Sequence, residues 1–250
     1  MSFPRQVIPG RTYLVTRRCT QRQFLLRPDD ETNNAFVYCL GYAAKETGVE
    51  VIAFLASSNH YHAVMIDRRG EIPKFLELFH RLLAGHQNRL HQRSENMWSN
   101  EQTSLVELTS PDDIFAKVVY TLANPVKDHL VDKAHHWPGA SSLRATIDGR
   151  VLRAKRPFGF FRKAGKMPPS LELECVRMPG CEDLTSDEYQ SRLRSAIEAA
   201  EVAAAGERAT TGHRILGRKT VLSQTPHERP KSIKPRSPVK PRVASIDMLL

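Results

Sequence analysis

From the N-terminus onward the apolar positions change period several times. Residues 12–18 are rich in β-branched and aromatic side chains and read as a strand, and residues 32–46 place Phe36, Val37, Leu40 and Ala44 at helical spacing. Thr47-Gly48 ends that helix. Residues 49–56 form an apolar run suited to a central strand, Ser57-Ser58-Asn59 is a turn, and residues 60–66 alternate back as a hairpin partner. Pro73 opens a second helix, with Phe75, Leu76, Phe79, Leu82, Leu83 and Leu90 at the helical period and His80, Arg81, His86, Arg89, His91 and Arg93 on other faces. Residues 103–108 are a short strand. Ser110-Pro111-Asp112-Asp113 has the cap and first-turn acids of a third helix, continued by residues 114–122.

The order β-α-β-β-α-β-α is that of a split βαβ, ferredoxin-like sandwich, an α+β fold in which an antiparallel sheet carries its helices on one face. Apolar runs thin out in the second half of the chain, so the core is expected to be N-terminal. The chain accordingly divides into a domain over residues 1–142, a basic linker and helical extension over 143–206, and a basic, Pro-rich tail over 207–250. In the extension, residues 144–169 mix basic side chains with Phe158, Phe160 and Phe161, and residues 186–205 are alanine- and glutamate-rich and helical. The tail sets ten Lys or Arg against three acidic residues, and Pro226, Pro230, Pro235, Pro238 and Pro241 predict no regular element in it.

Over the 250 residues, 37 Lys and Arg outnumber 27 Asp and Glu, for a net charge of +10. That balance favours a polyanionic partner over an acidic small molecule, with a solvated basic surface as the plain alternative. No stretch approaches the roughly 18 consecutive apolar residues of a membrane span, and Met1-Ser2-Phe3-Pro4-Arg5 opens no signal-peptide apolar region. A cytoplasmic protein with no membrane partner is therefore expected. Cys19, Cys39, Cys175 and Cys181 lack paired spacing, which indicates reduced structural thiols rather than a zinc ribbon or a disulfide framework.

The chemistry concentrates in two short motifs. In Ser58-Asn59-His60-Tyr61-His62-Ala63 the strand period of two sends His60 and His62 to one face, and in Tyr120-Thr121-Leu122-Ala123-Asn124-Pro125 a helix puts Asn124 one turn beyond Tyr120. Two neutral imidazoles can bind a divalent metal, and the Asn124 carboxamide oxygen would complete a facial set with positions left for a substrate oxygen and water. Tyr120 would be the nucleophile, although a phenol with a pKa of about 10 needs help, such as a cation at the reacting phosphate, to act at neutral pH. Each piece also has a plainer meaning. The histidines are two among ten in the chain, and Tyr120 shares an apolar face with Phe115, Val118, Val119 and Leu122, where a tyrosine commonly packs with its hydroxyl at the edge.

The combination resembles the single-tyrosine HUH transposases, and among them the REP-associated tyrosine transposases. The resemblance runs over residues 9–142. It rests on Asn59-His60-Tyr61-His62, the helix through Phe79-His80-Arg81 to Asn88-Arg89, the region of Trp98, Tyr120 to Val126 with Asn124-Pro125, and Trp137 with Ser141-Ser142, in the family's order and approximate spacing. It implies a metal, Mg²⁺ or Mn²⁺, on His60, His62 and Asn124, with Tyr120 as nucleophile and single-stranded, hairpin-containing DNA as partner. The implied reaction is transesterification, in which Tyr120 takes a 5′-phosphate and releases a 3′-OH, so that strand transfer follows without a nucleotide cofactor. Family members differ in oligomeric state, which leaves monomer and homodimer both open. The residue between the family's histidines is usually aliphatic; here it is Tyr61, which must face the other side of the strand and pack against a helix.

Basic surface would hold the phosphates, with Arg17, Arg18, Arg81, Arg89 and Arg93 as contact candidates or, plainly read, as solvated charge. The segment Lys155-Arg156-Pro157-Phe158-Gly159-Phe160-Phe161-Arg162-Lys163 would stack unpaired bases or, in the favoured reading, dock the C-terminal region onto the domain. Three rival functions stand beside the transposase. A hairpin DNA binder of the same fold would lack catalysis, a metal-dependent hydrolase would need further Asp, Glu or His ligands, and an RNA binder would display aromatics such as Tyr13 and Tyr61 on its central strands.

Overall fold

The computed structural model describes residues 7–159, 161 and 164–231; Phe160, Arg162, Lys163, Pro235, Pro238 and Pro241 lie outside the described residues. β1 (Arg11–Arg18), β2 (Glu50–Ser57), β3 (His60–Asp67) and β4 (Ser104–Leu108) form one antiparallel sheet in the order β2-β3-β1-β4. α1 (Asp30–Thr47) joins β1 to β2, α2 (Ile72–Leu90) joins β3 to β4, and α3 (Pro111–Lys127) follows β4. This is the split βαβ order that the hydrophobic pattern predicts.

Local chemistry sets where the helices start and stop. Asp29 accepts from the Thr32 backbone N–H at 2.7 Å, and Gly48 closes α1 in the left-handed region at φ 72. Asp67, buried at the end of β3, accepts from the N–H groups of Glu71 and Ile72 at 2.8 and 2.9 Å, so the strand's last residue fixes the start of α2. Ser110 accepts from Asp113 N–H at 3.1 Å at the head of α3. α3 runs a turn beyond its expected end, through Pro125 to Lys127. Proline removes one intrahelical donor, but Ala123, Asn124 and Val126 are buried there and their packing outweighs that loss.

Both faces of the sheet are covered. Tyr13, Val15, Phe54, Tyr61 and Met65 pack with Phe36, Leu40, Phe75 and Phe79 of α1 and α2, whereas Leu14, Leu55, Val64 and Ile66 pack with Val118, Leu122 and Val126 of α3. The expectation of helices on one face is corrected accordingly. β2 and β3 are apolar on both sides, and the apolar stripe of α3 covers the second. Tyr61 is fully buried, with Phe36, Phe79 and Trp98 edge-on at 5.7, 5.3 and 5.9 Å and its hydroxyl 2.7 Å from His80 Nε2.

Beyond α3 the chain wraps the same core instead of leaving it. Residues 137–146 close the outer edge of β2: Ala56 N–H donates to Ala140 O at 2.9 Å, Phe54 N–H to Ser142 Oγ at 2.8 Å, Thr146 Oγ1 to Ile52 O at 2.9 Å and Trp137 Nε1 to Ala56 O at 3.0 Å. The boundary expected at 142 falls inside this cluster, since Ser142 Oγ and Thr146 Oγ1, in α4 (Leu143–Asp148), are 2.9 Å apart. A hairpin of β5 (Leu152–Lys155) and β6 (Ser170–Leu173) lies on α1, so close that a Cβ on Gly41 would stand 2.6 Å from Leu171 Cδ1. Phe161 meets Tyr38 edge-on at 5.6 Å, as the docking reading requires, while Phe158 is exposed.

α5 (Ser186–Thr211) lays Tyr189, Leu193, Ile197 and Ala204 into the α3 layer. Its buried Glu201 accepts from Lys133 Nζ and Ala134 N–H at 2.9 and 2.8 Å. The irregular tail expected from residue 207 therefore begins inside a helix, and α6 (Arg218–Ser223) follows. Order continues because these backbone groups find partners on the main domain: Leu216 N–H donates to His129 O at 2.9 Å, Gly217 N–H to Leu130 O at 3.0 Å, and Phe24 N–H to Glu228 O at 2.9 Å. Among the described residues, no helix is long and apolar enough to cross a membrane. All four cysteines are free thiols.

Candidate metal and nucleophile site

β3 and α3 face each other across one cavity of about 990 Å³, and His60, His62, Tyr120 and Asn124 all line it. The strand period brings the two imidazoles to the α3 side, edge-on with ring centroids 4.9 Å apart, and the His62 ring lies 5.2 Å from that of Tyr120. The helical step from Tyr120 to Asn124 then places the carboxamide on the same helix face as the phenol, at the same cavity. All four residues expected to form the centre are brought together.

Neighbouring groups orient these side chains. Thr16 is the register partner of His62 on β1, and its Oγ1 lies 2.7 Å from His62 Nδ1. His60 Nδ1 lies 2.7 Å from Asn59 Oδ1. With Nδ1 engaged in each ring, Nε2 is the nitrogen each would offer to a metal. Asn124 is 2% exposed, and its Oδ1 accepts from Ser57 Oγ at 3.2 Å. Two imidazole nitrogens and one carboxamide oxygen at one cavity form a donor set that fits a divalent ion with open positions for substrate.

Tyr120 is held neutral in this setting. Burial pushes its phenol above the ordinary value and Asp128 pushes the same way, while the Asn124 side chain and the charge of Arg18 oppose them. Lys127 Nζ stands 5.2 Å from the centre of the Tyr120 ring, and Lys117 Nζ 5.9 Å.

The predicted arginines separate into two groups. Arg18 is exposed and borders the cavity. Arg17, the next residue, points to the opposite face of β1, where its guanidinium donates to Thr103 Oγ1 and to Ser99 O and lies 5.9 Å from the Trp98 ring. Burial lowers its pKa, and its visible role is to tie β1 to the chain before β4. Arg81 and Arg89 are exposed on α2 and Arg93 follows it; α2 covers the face of the sheet away from the histidines, and none of the three lines the cavity.

Sequence reasoning missed Thr16, Ser57, Arg22 and Lys127 as lining residues. Lys127 carried a readable signal, since it lies two turns beyond Tyr120 on the same face. Arg22 carried none; it is delivered by a tight turn in which Gln21 and Arg22 take φ 48 and 61. The C-terminal residues His213, Leu216 and Glu228 border the cavity as well. Tyr13 and Tyr61 are 2% and 0% exposed beneath helices, the reverse of the display that RNA stacking needs.

No family model and no curated protein matches the sequence. The fold does match solved structures. A REP-associated tyrosine transposase, solved bound to a REP hairpin, aligns with a TM-score of 0.50 at 15% identity, covering 74% of this chain and 99% of that one. A Deinococcus radiodurans protein described as a candidate transposase aligns at a TM-score of 0.34 and 17% identity, over 45% of this chain and 89% of that one. At these identities the likeness is one of fold, and the second is too distant to argue from.

Proposed function

We propose that the protein is a metal-dependent DNA nicking and strand-transfer enzyme of the transposase type, acting on single-stranded, hairpin-containing DNA through Tyr120. The observation that carries this reading is the meeting of Tyr120, His60, His62 and Asn124 at one cavity from a strand and a helix far apart in sequence. Two further facts support it: the matched transposase was solved with a hairpin, and a net charge of +10 suits a polyanion.

His60, His62 and Asn124 would hold Mg²⁺ or Mn²⁺. When bound, the ion supplies positive charge at the scissile phosphate and at the departing 3′ oxygen. Tyr120, fixed beside His62, attacks phosphorus; the bond from its oxygen to phosphorus forms as the bond from phosphorus to the 3′ oxygen breaks, and that oxygen leaves with the electron pair. The phenol gives up its proton and the 3′ oxygen ends as a hydroxyl, so the products are a 5′-phosphotyrosine and a free 3′-OH. Arg18, Arg22 and Lys127, at the cavity wall, would hold the flanking phosphates.

A hairpin DNA binder without catalysis is the second reading. It draws on the bond that already engages Asn124 with Ser57. Incubation of labelled single-stranded hairpin oligonucleotides with the protein and Mg²⁺ or Mn²⁺, resolved under denaturing conditions, separates the two. A covalent adduct that disappears in Tyr120→Phe, His60→Ala and His62→Ala establishes the enzyme. Metal-independent binding with no adduct across the hairpins tested would leave the binder.

A further inference from the structure

We propose a second metal site, for a borderline transition cation of the Zn²⁺ class, at His129, Glu207 and His213. One ligand atom of each residue lies within 4.8 Å of one of each of the others. The three come from separate places: His129 follows the end of α3, Glu207 is in the last turns of α5, and His213 follows the Gly212 cap of α5. The backbone holds them in register. Gly212, at φ 72, turns the chain with its N–H on Arg208 O at 3.0 Å, and Leu216 N–H donates to His129 O at 2.9 Å, returning the segment across the end of α3.

The three side chains stand close together without hydrogen-bonding one another. His129, half-buried past the end of α3, takes φ 53, a left-handed conformation uncommon outside glycine. Its Nε2 stands 3.9 Å from Glu207 Oε1, beyond hydrogen-bond reach, and its ring centroid lies 5.2 Å from that of His213. Donors each about 2.0–2.1 Å from a tetrahedral ion are roughly 3.3 Å apart, and rotation of the exposed Glu207 and His213 side chains closes that gap. Two imidazoles and an anionic carboxylate are a common ligand set for zinc and its neighbours, the carboxylate adding a negative charge that the neutral set of His60, His62 and Asn124 lacks. Such an ion would clip α5 and the segment after it to the helix that carries Tyr120. His129 and His213 line the same cavity as the other centre, but none of the three ligands is His60, His62, Tyr120 or Asn124, so the inference does not depend on the nuclease reading.

The test uses untagged full-length protein stripped with chelator, in a His60→Ala/His62→Ala background so that the other centre contributes nothing. Zn²⁺ binding is followed by calorimetry, and Co²⁺ by its visible absorption. The expected result is one equivalent of Zn²⁺ per chain and a four- or five-coordinate Co²⁺ spectrum, with affinity lowered about tenfold or more in His213→Ala and in Glu207→Gln. Both substituted residues are exposed, and circular dichroism confirms that the variants fold. No Zn²⁺ binding in that background, or binding unchanged by both substitutions, overturns the proposal.

Discussion

Thr16 Oγ1 and His62 Nδ1 lie 2.7 Å apart across the β1–β3 ladder, where the two residues are direct register partners. The sheet itself therefore holds an imidazole of the candidate centre by a group outside the set of His60, His62 and Asn124. Thr16→Val keeps the shape and loses the bond. The expected outcome is metal affinity lower by about 10- to 100-fold at unchanged fold, measured as the Mn²⁺ dependence of adduct formation.

Asp128 and Arg18 act on Tyr120 with opposite sign. Asp128 raises the phenol's pKa and Arg18 lowers it. In the pH profile of adduct formation, Asp128→Asn should move the rising alkaline limb to lower pH and Arg18→Gln should move it to higher pH. Limbs that coincide in both variants would remove the phenol's ionisation from the rate-limiting step.

Tyr61 and His80 form a buried pair whose loss should be felt as stability. Tyr61→Phe leaves His80 Nε2 without its 2.7 Å partner and should cost about 1–3 kcal/mol in urea unfolding.

His80 also makes a pH prediction. Burial first, and then the charge of Arg17, push its pKa down to about 3 from 6.5. The folded protein thus keeps the ring neutral where the unfolded chain protonates it. Its contribution to stability is whole above about pH 6.5 and is lost as pH falls toward about 3. His80→Gln should flatten the stability profile between about pH 6.5 and 5, above the range in which ordinary carboxylates titrate, as read by denaturant midpoints.

Glu201→Ala should show that α5 belongs to the main folding unit. It leaves Ala134 N–H and Lys133 without their carboxylate partner inside the α3 layer, at an expected cost of about 1–3 kcal/mol. The cost should appear in a single unfolding transition of the whole chain. A separate early transition of the C-terminal region would contradict it.

The elements up to α3 were legible because each has enough residues to show its period. Phe36 and Leu40 mark α1, Phe75 and Phe79 mark α2, and the alternation from His60 to Ile66 marks β3. The four centre residues followed from those periods together with the family resemblance. What was not legible depends on contacts distant in sequence. A helical pattern does not by itself say which face of a sheet it will cover, so the general expectation of helices on one face missed that α3 covers the other. Arg17 and Arg18 look equivalent as charges, and only the burial of Trp98 and Thr103 on one face separates them. The four-residue strands β5 and β6 are too short to show a period. The ordered residues after 207 owe their structure to backbone bonds with His129, Leu130 and Phe24 that composition does not encode.

The hydrogen bonds that residues 137–146 make to β2 also bear on how this protein can associate. Together with Val176 N–H, which donates to Val51 O at 2.8 Å, they occupy the outward peptide groups along β2 from Val51 to Ala56. An edge strand with those groups bare would recruit any extended peptide it met, including the same strand of another copy. Here that flank is closed by the chain's own continuation, so a further strand joining the sheet would have to align along β4.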